Sequence, residues 1–153
     1  GNIDYREHQM IENVLKFDDI TVSQVMTPRY KMISLNGDVP IDQIAYFVAQ
    51  TGHSRYPVYR GDEDDIIGYI HVNDIMRKLK SKERDELVKD VMREVERVPE
   101  HMDIERVFRF MLKEKEHMMI VERDGEVVGL VTMEDILEEL VGEIGDETDH
   151  KET

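Results

Sequence analysis

The sequence predicts an α/β protein, more closely an α+β protein, built from two copies of one unit. Short apolar runs and amphipathic segments alternate in the order β-α-β-β-α, and that order occurs twice. Gly68 matches Gly129 and Asp74 matches Asp135, in both cases at an offset of 61 residues. Because neither copy can bury its sheet and helices alone, we expect the copies to pack with approximate two-fold symmetry and to form clefts between them.

The start of the first copy is marked by helix and proline signals. Residues 3–16 have apolar side chains at helical spacing, which predicts a helix that enters the domain. Pro28 is incompatible with a helix interior and favours an extended conformation before it. A short strand is then predicted over residues 32–35.

The rest of the first copy follows the same order. Residues 41–51 predict an amphipathic helix that ends at Gly52, with one apolar face made of Ile41, Ile44, Ala45 and Val48. Two strands are predicted on either side of an acidic, solvated turn at residues 61–65. A helix is predicted over residues 73–80.

The second copy repeats this pattern. Val91-Met92 repeats Val25-Met26, and a strand is predicted over residues 95–98. Asp124-Gly125 predicts the tight turn of a hairpin. A second amphipathic helix precedes that hairpin and a last helix follows it; the former is predicted to bury Ile104, Val107, Phe108, Met111 and Leu112. The predicted organisation is a connecting helix at 1–19, copies at 20–82 and 83–144, and an acidic tail at 145–153.

The composition limits the possible partners. The chain has 153 residues, 40% of them hydrophobic, and its 35 acidic and 20 basic residues give a formal charge of -15. This charge repels phosphate backbones and anionic lipid, so we expect no nucleic-acid partner and no docking on an anionic membrane through a basic patch. No apolar run approaches the roughly 18 residues of a membrane span, so we also expect no membrane insertion by this segment. The absence of cysteine excludes disulfides, thiol catalysis and thiolate zinc sites.

The motif with most chemical content is "TMED", where the last strand runs into the last helix. Thr132 and Asp135 have the spacing of a capping box, in which each side chain binds the other residue's backbone N–H. The same carboxylate and hydroxyl can also bind the diol of a ribose. The first copy keeps Asp74 but has His71 in place of the threonine, so we expect one good site and a second that is weak or empty. His71 itself is expected to be partly buried with a backbone partner.

Four segments resemble a pair of CBS domains, the Bateman module: "VMTPR" at 25–29, "HSRYPVY" at 53–59, "IIGYIHVNDI" at 66–75 and "VVGLVTMEDILEELVGEI" at 127–144. The first and last segments together are similar to the CorC, HlyC or CNNM family of magnesium and cobalt efflux proteins. In that family a membrane domain precedes the CBS pair. The resemblance therefore implies a regulatory segment on the cytoplasmic side of the cell membrane, joined to a membrane transport domain.

The resemblance also implies a ligand and its contacts. CBS domains of this kind bind adenine nucleotides through the Thr-x-x-Asp pattern, and the implied ligand is ATP with Mg²⁺, with AMP, ADP and S-adenosyl compounds as alternatives. Because the protein is acidic, we expect Mg²⁺ to bind through the phosphates, with no metal site made by the protein alone. The implied binding residues are Thr27, Arg29, Ser54, Arg55, Tyr56, Pro57, Thr132 and Asp135.

Some of these residues have a structural alternative. Arg29 suits a surface salt bridge as well as a phosphate contact, and Tyr56 suits the core as well as the wall of an adenine pocket. At the level of the whole chain, we expect a homodimeric binding module and no enzyme. The alternatives are a ligand-free dimerisation module and, third, a nucleotide-hydrolysing enzyme, for which no positioned base or nucleophile is recognisable.

Overall fold

The structure is a computed structural model that describes the backbone of residues 20–152 and the side chains of residues 20–142. The predicted helix at 3–16 lies outside the described residues. In chain order the elements are α1 (Val22–Val25), β1 (Thr27–Pro28), a 3-10 helix (Arg29–Lys31), β2 (Leu35–Asn36), α2 (Ile41–Thr51), β3 (Arg55–Arg60), β4 (Asp62–His71), α3 (Val72–Lys80), α4 (Val88–Val91), β5 (Glu96–Pro99), α5 (Ile104–Glu114), β6 (Met118–Arg123), β7 (Glu126–Thr132) and α6 (Met133–Glu152).

The order β-α-β-β-α occurs twice, as β2-α2-β3-β4-α3 and as β5-α5-β6-β7-α6, so the predicted fold class is confirmed. The predicted helix end at Gly52 and the predicted turn at Asp124-Gly125 are both confirmed. Gly52 ends α2 in the left-handed conformation at φ 70°. Asp124 and Gly125 have φ values of 51° and 82°, which suit the two-residue turn that joins β6 to β7.

Two local predictions are wrong. The strand predicted over 32–35 forms only at Leu35–Asn36, where it pairs in parallel with β3. The acidic turn predicted at 61–65 is limited to Gly61, because its φ of 74° reverses the chain at once. The four acidic residues 62–65 that follow belong to β4, with exposed side chains and an irregular register opposite Tyr59 and Arg60.

The described chain forms two compact units. The first-copy unit is Lys31–Glu96, with the three-stranded sheet β2-β3-β4. The second-copy unit joins the described residues up to Tyr30 with those from Arg97 onward, and it contains the four-stranded sheet β1-β7-β6-β5 except for Glu96, the first residue of β5. Each unit is thus completed by a segment that precedes the other copy in the sequence.

Each unit has its own apolar core between sheet and helices. In the second-copy unit the core includes Ile104, Val107, Phe108 and Met111 of α5, as predicted, whereas Leu112 is partly buried. In the first-copy unit Ile41, Ile44 and Val48 of α2 are buried as predicted and Ala45 is half-buried. The two cores hold the sheets rigidly enough to position the strand–helix junctions described next.

Candidate functional site

The junction of β7 and α6 contains the predicted capping box. The backbone N–H of Thr132 donates to Asp135 Oδ2 at 3.1 Å, and the backbone N–H of Asp135 donates to Thr132 Oγ1 at 3.1 Å. Both residues are half-buried. The side chains therefore cap the helix and also keep part of their surface accessible.

Alternation along β7 determines which residues lie near this pair. Gly129 and Val131 are buried toward the core, while Leu130 and Thr132 lie on the opposite, half-buried face. Thr27 of β1 pairs with Leu130, so its side chain lies on the same face. Thr27, Thr132 and Asp135 thus line one face at the end of β7.

A glycine permits the close approach of β1 to β7. A Cβ atom at position 129 would lie 2.4 Å from the carbonyl oxygen of Thr27 and 2.7 Å from the sulfur of Met26. Real Cβ atoms do not approach backbone this closely, so the segment Met26–Thr27 requires glycine opposite it. The segments "VMT" and "GLVT", which are far apart in the sequence, therefore pack against each other at one corner of the second-copy unit.

The first-copy unit contains a corner of the same construction. A Cβ atom at Gly68 would lie 2.6 Å from the carbonyl oxygen of Arg93 and 2.8 Å from the sulfur of Met92. Tyr69 pairs with Arg93 as Leu130 pairs with Thr27. Arg93 therefore occupies, in the first-copy unit, the position that Thr27 occupies in the second-copy unit.

His71 caps α3 in the first-copy unit. Its Nδ1 accepts a hydrogen bond from the backbone N–H of Asn73 at 3.0 Å, and its side chain is half-buried. The expectation of a partly buried histidine with a backbone partner is confirmed. Helix capping therefore does not distinguish the two copies, because an imidazole nitrogen here does what a hydroxyl oxygen does at Thr132.

The matched aspartates differ sharply. Asp74 is the buried charged residue among the described side chains, at 2% exposure. Its Oδ2 accepts from Arg93 Nε at 3.0 Å, and its Oδ1 accepts from Arg93 Nη2 at 2.9 Å and from Arg77 Nη2 at 3.1 Å. Burial raises the pKa of Asp74, but the hydrogen bonds and charges of the two arginines outweigh it and lower the pKa below its ordinary value.

In the described part of the chain, no arginine forms an ion pair with Asp135. Among the residues whose side chains are described, its carboxylate has one donor, the backbone N–H of Thr132. The position that matches Arg77 is occupied by Glu138, an exposed residue. The second-copy corner therefore presents a carboxylate with spare acceptor capacity, and the first-copy corner presents an internal ion pair.

The structure divides the eight predicted site residues equally between the two units. The second-copy unit contains four of them, Thr27, Arg29, Thr132 and Asp135, with Arg29 in the 3-10 helix directly after β1. The first-copy unit contains the other four, Ser54, Arg55, Tyr56 and Pro57. Arg55 is half-buried opposite His71, and Pro57 is buried opposite Tyr69.

Tyr56 lies in the core of its unit. It is 0% exposed, and its hydroxyl is within 2.7 Å of Thr51 Oγ1, accepts from the backbone N–H of His53 at 2.9 Å and lies 3.2 Å from the Val48 carbonyl oxygen. The core alternative for this residue thus agrees with the structure, and the side chain offers no exposed surface for an adenine in this conformation.

Sequence reasoning missed Arg77 and Arg93. A signal was present, because "VMR" in the second copy aligns with "VMT" in the first and so puts an arginine in place of a threonine. Elsewhere, no group of three or more His, Asp or Glu residues within the described part of the chain is arranged to hold a metal ion. None of the helices described is both long and apolar enough to cross a bilayer.

Comparison with known proteins identifies the family. The model of the CBS domain matches twice, at residues 22–81 and 88–142. The chain belongs to the CBS domain family. A solved CBS domain of the bacterial CNNM/CorC family Mg²⁺ transporter, described as in complex with ATP, is 30% identical, with a TM-score of 0.80 over 90% of this chain and 98% of that one. The chain is accordingly a CBS-domain pair of the CNNM/CorC family, as the sequence motifs predicted.

Curated relatives support the same assignment. The magnesium and cobalt efflux proteins CorC of Pasteurella multocida and Escherichia coli K12 are 34% and 35% identical over 98% of this chain. The CBS pair spans 50% and 52% of these two proteins, and 35% of a UPF0053 protein of Mycobacterium tuberculosis that is 36% identical.

Proposed function

We propose that this CBS pair binds an adenine nucleotide, ATP with Mg²⁺ in the first place, and thereby regulates a CorC/CNNM-type magnesium or cobalt transporter. The observation that carries the proposal is the half-buried pair of Thr132 and Asp135, whose carboxylate has spare acceptor capacity, beside Thr27 on the same face. The ATP complex of the 30% identical CNNM/CorC domain supports the choice of nucleotide.

The chemistry assigns a role to each residue of this face. Asp135 accepts hydrogen bonds from the two ribose hydroxyls while its Oδ2 keeps the Thr132 amide. Thr132 Oγ1 accepts from the Asp135 amide, which leaves its hydroxyl proton for a ligand oxygen. Thr27, whose side chain shares the face of Leu130 and Thr132, contacts the base or the ribose.

The phosphates require positive charge, and the 20 basic residues of this chain are outnumbered by 35 acidic ones. Arg29 follows Thr27 by two residues and is the proposed phosphate contact, because a guanidinium forks onto phosphate oxygens. The described residues contain no acidic or histidine cluster that would bind Mg²⁺ by itself. The ion would therefore bind through the phosphates and supply the remaining positive charge.

Regulation follows from differential binding. A nucleotide shifts the pair, and a homodimer of it, toward the arrangement that binds the nucleotide more tightly. We propose that this shift is transmitted to a membrane transport domain from the cytoplasmic side of the cell membrane. The proposed role is thus that of a binding module, without catalysis.

Calorimetric titration with ATP, ADP and AMP, with and without Mg²⁺, tests the proposal. We expect the wild type to bind nucleotide and Asp135→Asn to have an affinity at least about tenfold lower. The loss of hydrogen bonds to the ribose diol is enough for a change of this size. Glu138→Gln is the matched control, since it removes the same charge one turn later in α6. Because either substitution makes the protein less acidic, a loss confined to Asp135→Asn identifies a direct contact. No heat with any nucleotide, or equal behaviour of the two variants, contradicts the proposal.

One observation favours a second candidate, a ligand-free dimerisation module. The capping box is complete without any ligand, so Thr132 and Asp135 already have a structural role. This candidate predicts that no nucleotide changes the melting temperature. A rise in melting temperature with ATP and Mg²⁺ excludes it, because only ligands that bind the folded state stabilise the protein.

A further inference from the structure

We infer that one residue position, Thr27 in the second-copy unit and Arg93 in the first-copy unit, decides which of the two matched aspartates can bind a ribose. The inference rests on the proposed function and extends it to the selection between two similar corners. Its basis is the equivalence of the two residues. Each pairs with the strand residue that follows the close-packed glycine, Leu130 for Thr27 and Tyr69 for Arg93.

The first-copy corner is closed by its own side chains. Asp74 keeps 3% of its side-chain surface, whereas Arg93 and Arg77 keep 54% and 66%. The guanidinium groups therefore lie between the carboxylate and solvent. A ribose would need the same carboxylate oxygens, and neutral hydroxyls bind a carboxylate less strongly than a forked guanidinium does.

The two arginines contribute unequally. Arg93 makes two hydrogen bonds, one to each oxygen of Asp74, and comes from a separate segment 19 residues further along the chain. Arg77 makes one, from the next turn of α3, and most of its side chain is exposed. A single hydrogen bond from a largely exposed arginine breaks at a smaller cost in free energy than a bidentate pair, so Arg93 is the residue that closes the corner.

Among the side chains that the structure describes, neither arginine has a counterpart in the second-copy corner, which is why this corner is open. Thr27 is too short to reach across to a carboxylate as an arginine does, and Glu138 stands where Arg77 would be. This assignment differs from the expectation drawn from the sequence, which attributed the weaker first-copy site to His71 in place of the threonine. The imidazole is engaged with the backbone N–H of Asn73 and caps α3.

Transplanting the residues of the open corner tests the inference. We compare His71→Thr with His71→Thr/Arg93→Thr and measure the number of ATP molecules bound per chain by calorimetry in the presence of Mg²⁺. The wild type and His71→Thr are expected to bind one, and the double variant two. A second nucleotide in His71→Thr, or a single one in a folded double variant, overturns the inference.

The reverse exchange is an independent test and decides the matter if the double variant does not fold. Thr27→Arg should lower ATP affinity at least tenfold, because the new guanidinium covers Asp135. Gln50→Arg, at an exposed position of α2, adds the same charge as a control and should bind ATP as the wild type does. Undiminished binding by a folded Thr27→Arg overturns the inference alone. No nucleotide binding by the wild type overturns the proposed function and this inference with it.

Discussion

Arg93 donates from Nε to Asp74 Oδ2 at 3.0 Å and from Nη2 to Asp74 Oδ1 at 2.9 Å, so that one guanidinium holds both oxygens of a buried carboxylate. Arg93→Met should lower the free energy of unfolding by about 1–3 kcal/mol, since it leaves that carboxylate with Arg77 alone. Urea denaturation measures the change. Arg109→Met, which removes an exposed pair with Glu105, is the control and should cost under about 0.5 kcal/mol. Equal effects of the two substitutions would contradict this account.

The same pair makes stability depend on pH. The pKa of Asp74 is lowered below its ordinary value of 3.8, so the pair stabilises the folded state above that value and ceases to do so as the pH falls through the lowered pKa. The difference in unfolding free energy between wild type and Arg93→Met should be constant from pH 7 to about pH 5 and shrink below about pH 4. Urea denaturation at each pH gives this difference. A gap that widens in acid would show that the charge of Asp74 is not the cause.

Alanine at Gly129 and alanine at Gly142 should have opposite effects on stability, because the first position is closely packed and the second is an exposed position in a helix. Gly129→Ala should destabilise by about 1–3 kcal/mol or more, because the new Cβ would lie 2.4 Å from the Thr27 carbonyl oxygen. Gly142→Ala in α6 meets no atom within 4 Å and should stabilise by up to about 1 kcal/mol. Thermal denaturation of both variants tests the contrast. An alanine tolerated at 129 would mean that β1 does not pack on β7 as described.

Tyr56→Phe tests the core assignment of this side chain. Its hydroxyl lies within hydrogen-bond distance of Thr51, His53 and Val48, and the loss of these contacts should cost about 1–2 kcal/mol. Nucleotide affinity should be unchanged, because the ring is fully buried in its own unit. Chemical denaturation and calorimetry measure the two quantities. A loss of affinity without a loss of stability would reassign Tyr56 to the ligand.

Thr132 has a structural and a proposed binding role, and its variants separate them. Thr132→Ala removes the acceptor of the Asp135 amide and should cost about 1 kcal/mol of stability. It should also weaken ATP binding, while Thr132→Ser keeps the hydroxyl and should keep both properties close to those of the wild type. Melting temperatures and titrations of the three proteins give the answer. If serine fails as alanine does, the methyl group and not the hydroxyl is required.

The sequence predicts those features that depend on neighbouring residues. Asp124-Gly125 specifies its turn because two adjacent positive φ angles suffice, and Ile41 to Gly52 specifies a helix by periodicity and a left-handed end. The ion pair of Arg93 with Asp74 was missed because its partners come from different segments. A backbone partner for His71 was predicted, but its role as the cap of α3 was not, since imidazole is not among the usual capping groups.

The exchange of segments between the copies has a consequence for how the protein is made. Thr27 contacts Leu130 across about 100 residues of chain, whereas the residues of the first-copy unit are continuous from Lys31 to Glu96. On the ribosome, the inserted unit is complete before the surrounding unit has its last strand, so we expect it to fold first. Pulsed hydrogen exchange during refolding would then protect the amides of β3 and β4 before those of β1. Strand β1 therefore stays unpaired until β7 has been synthesised.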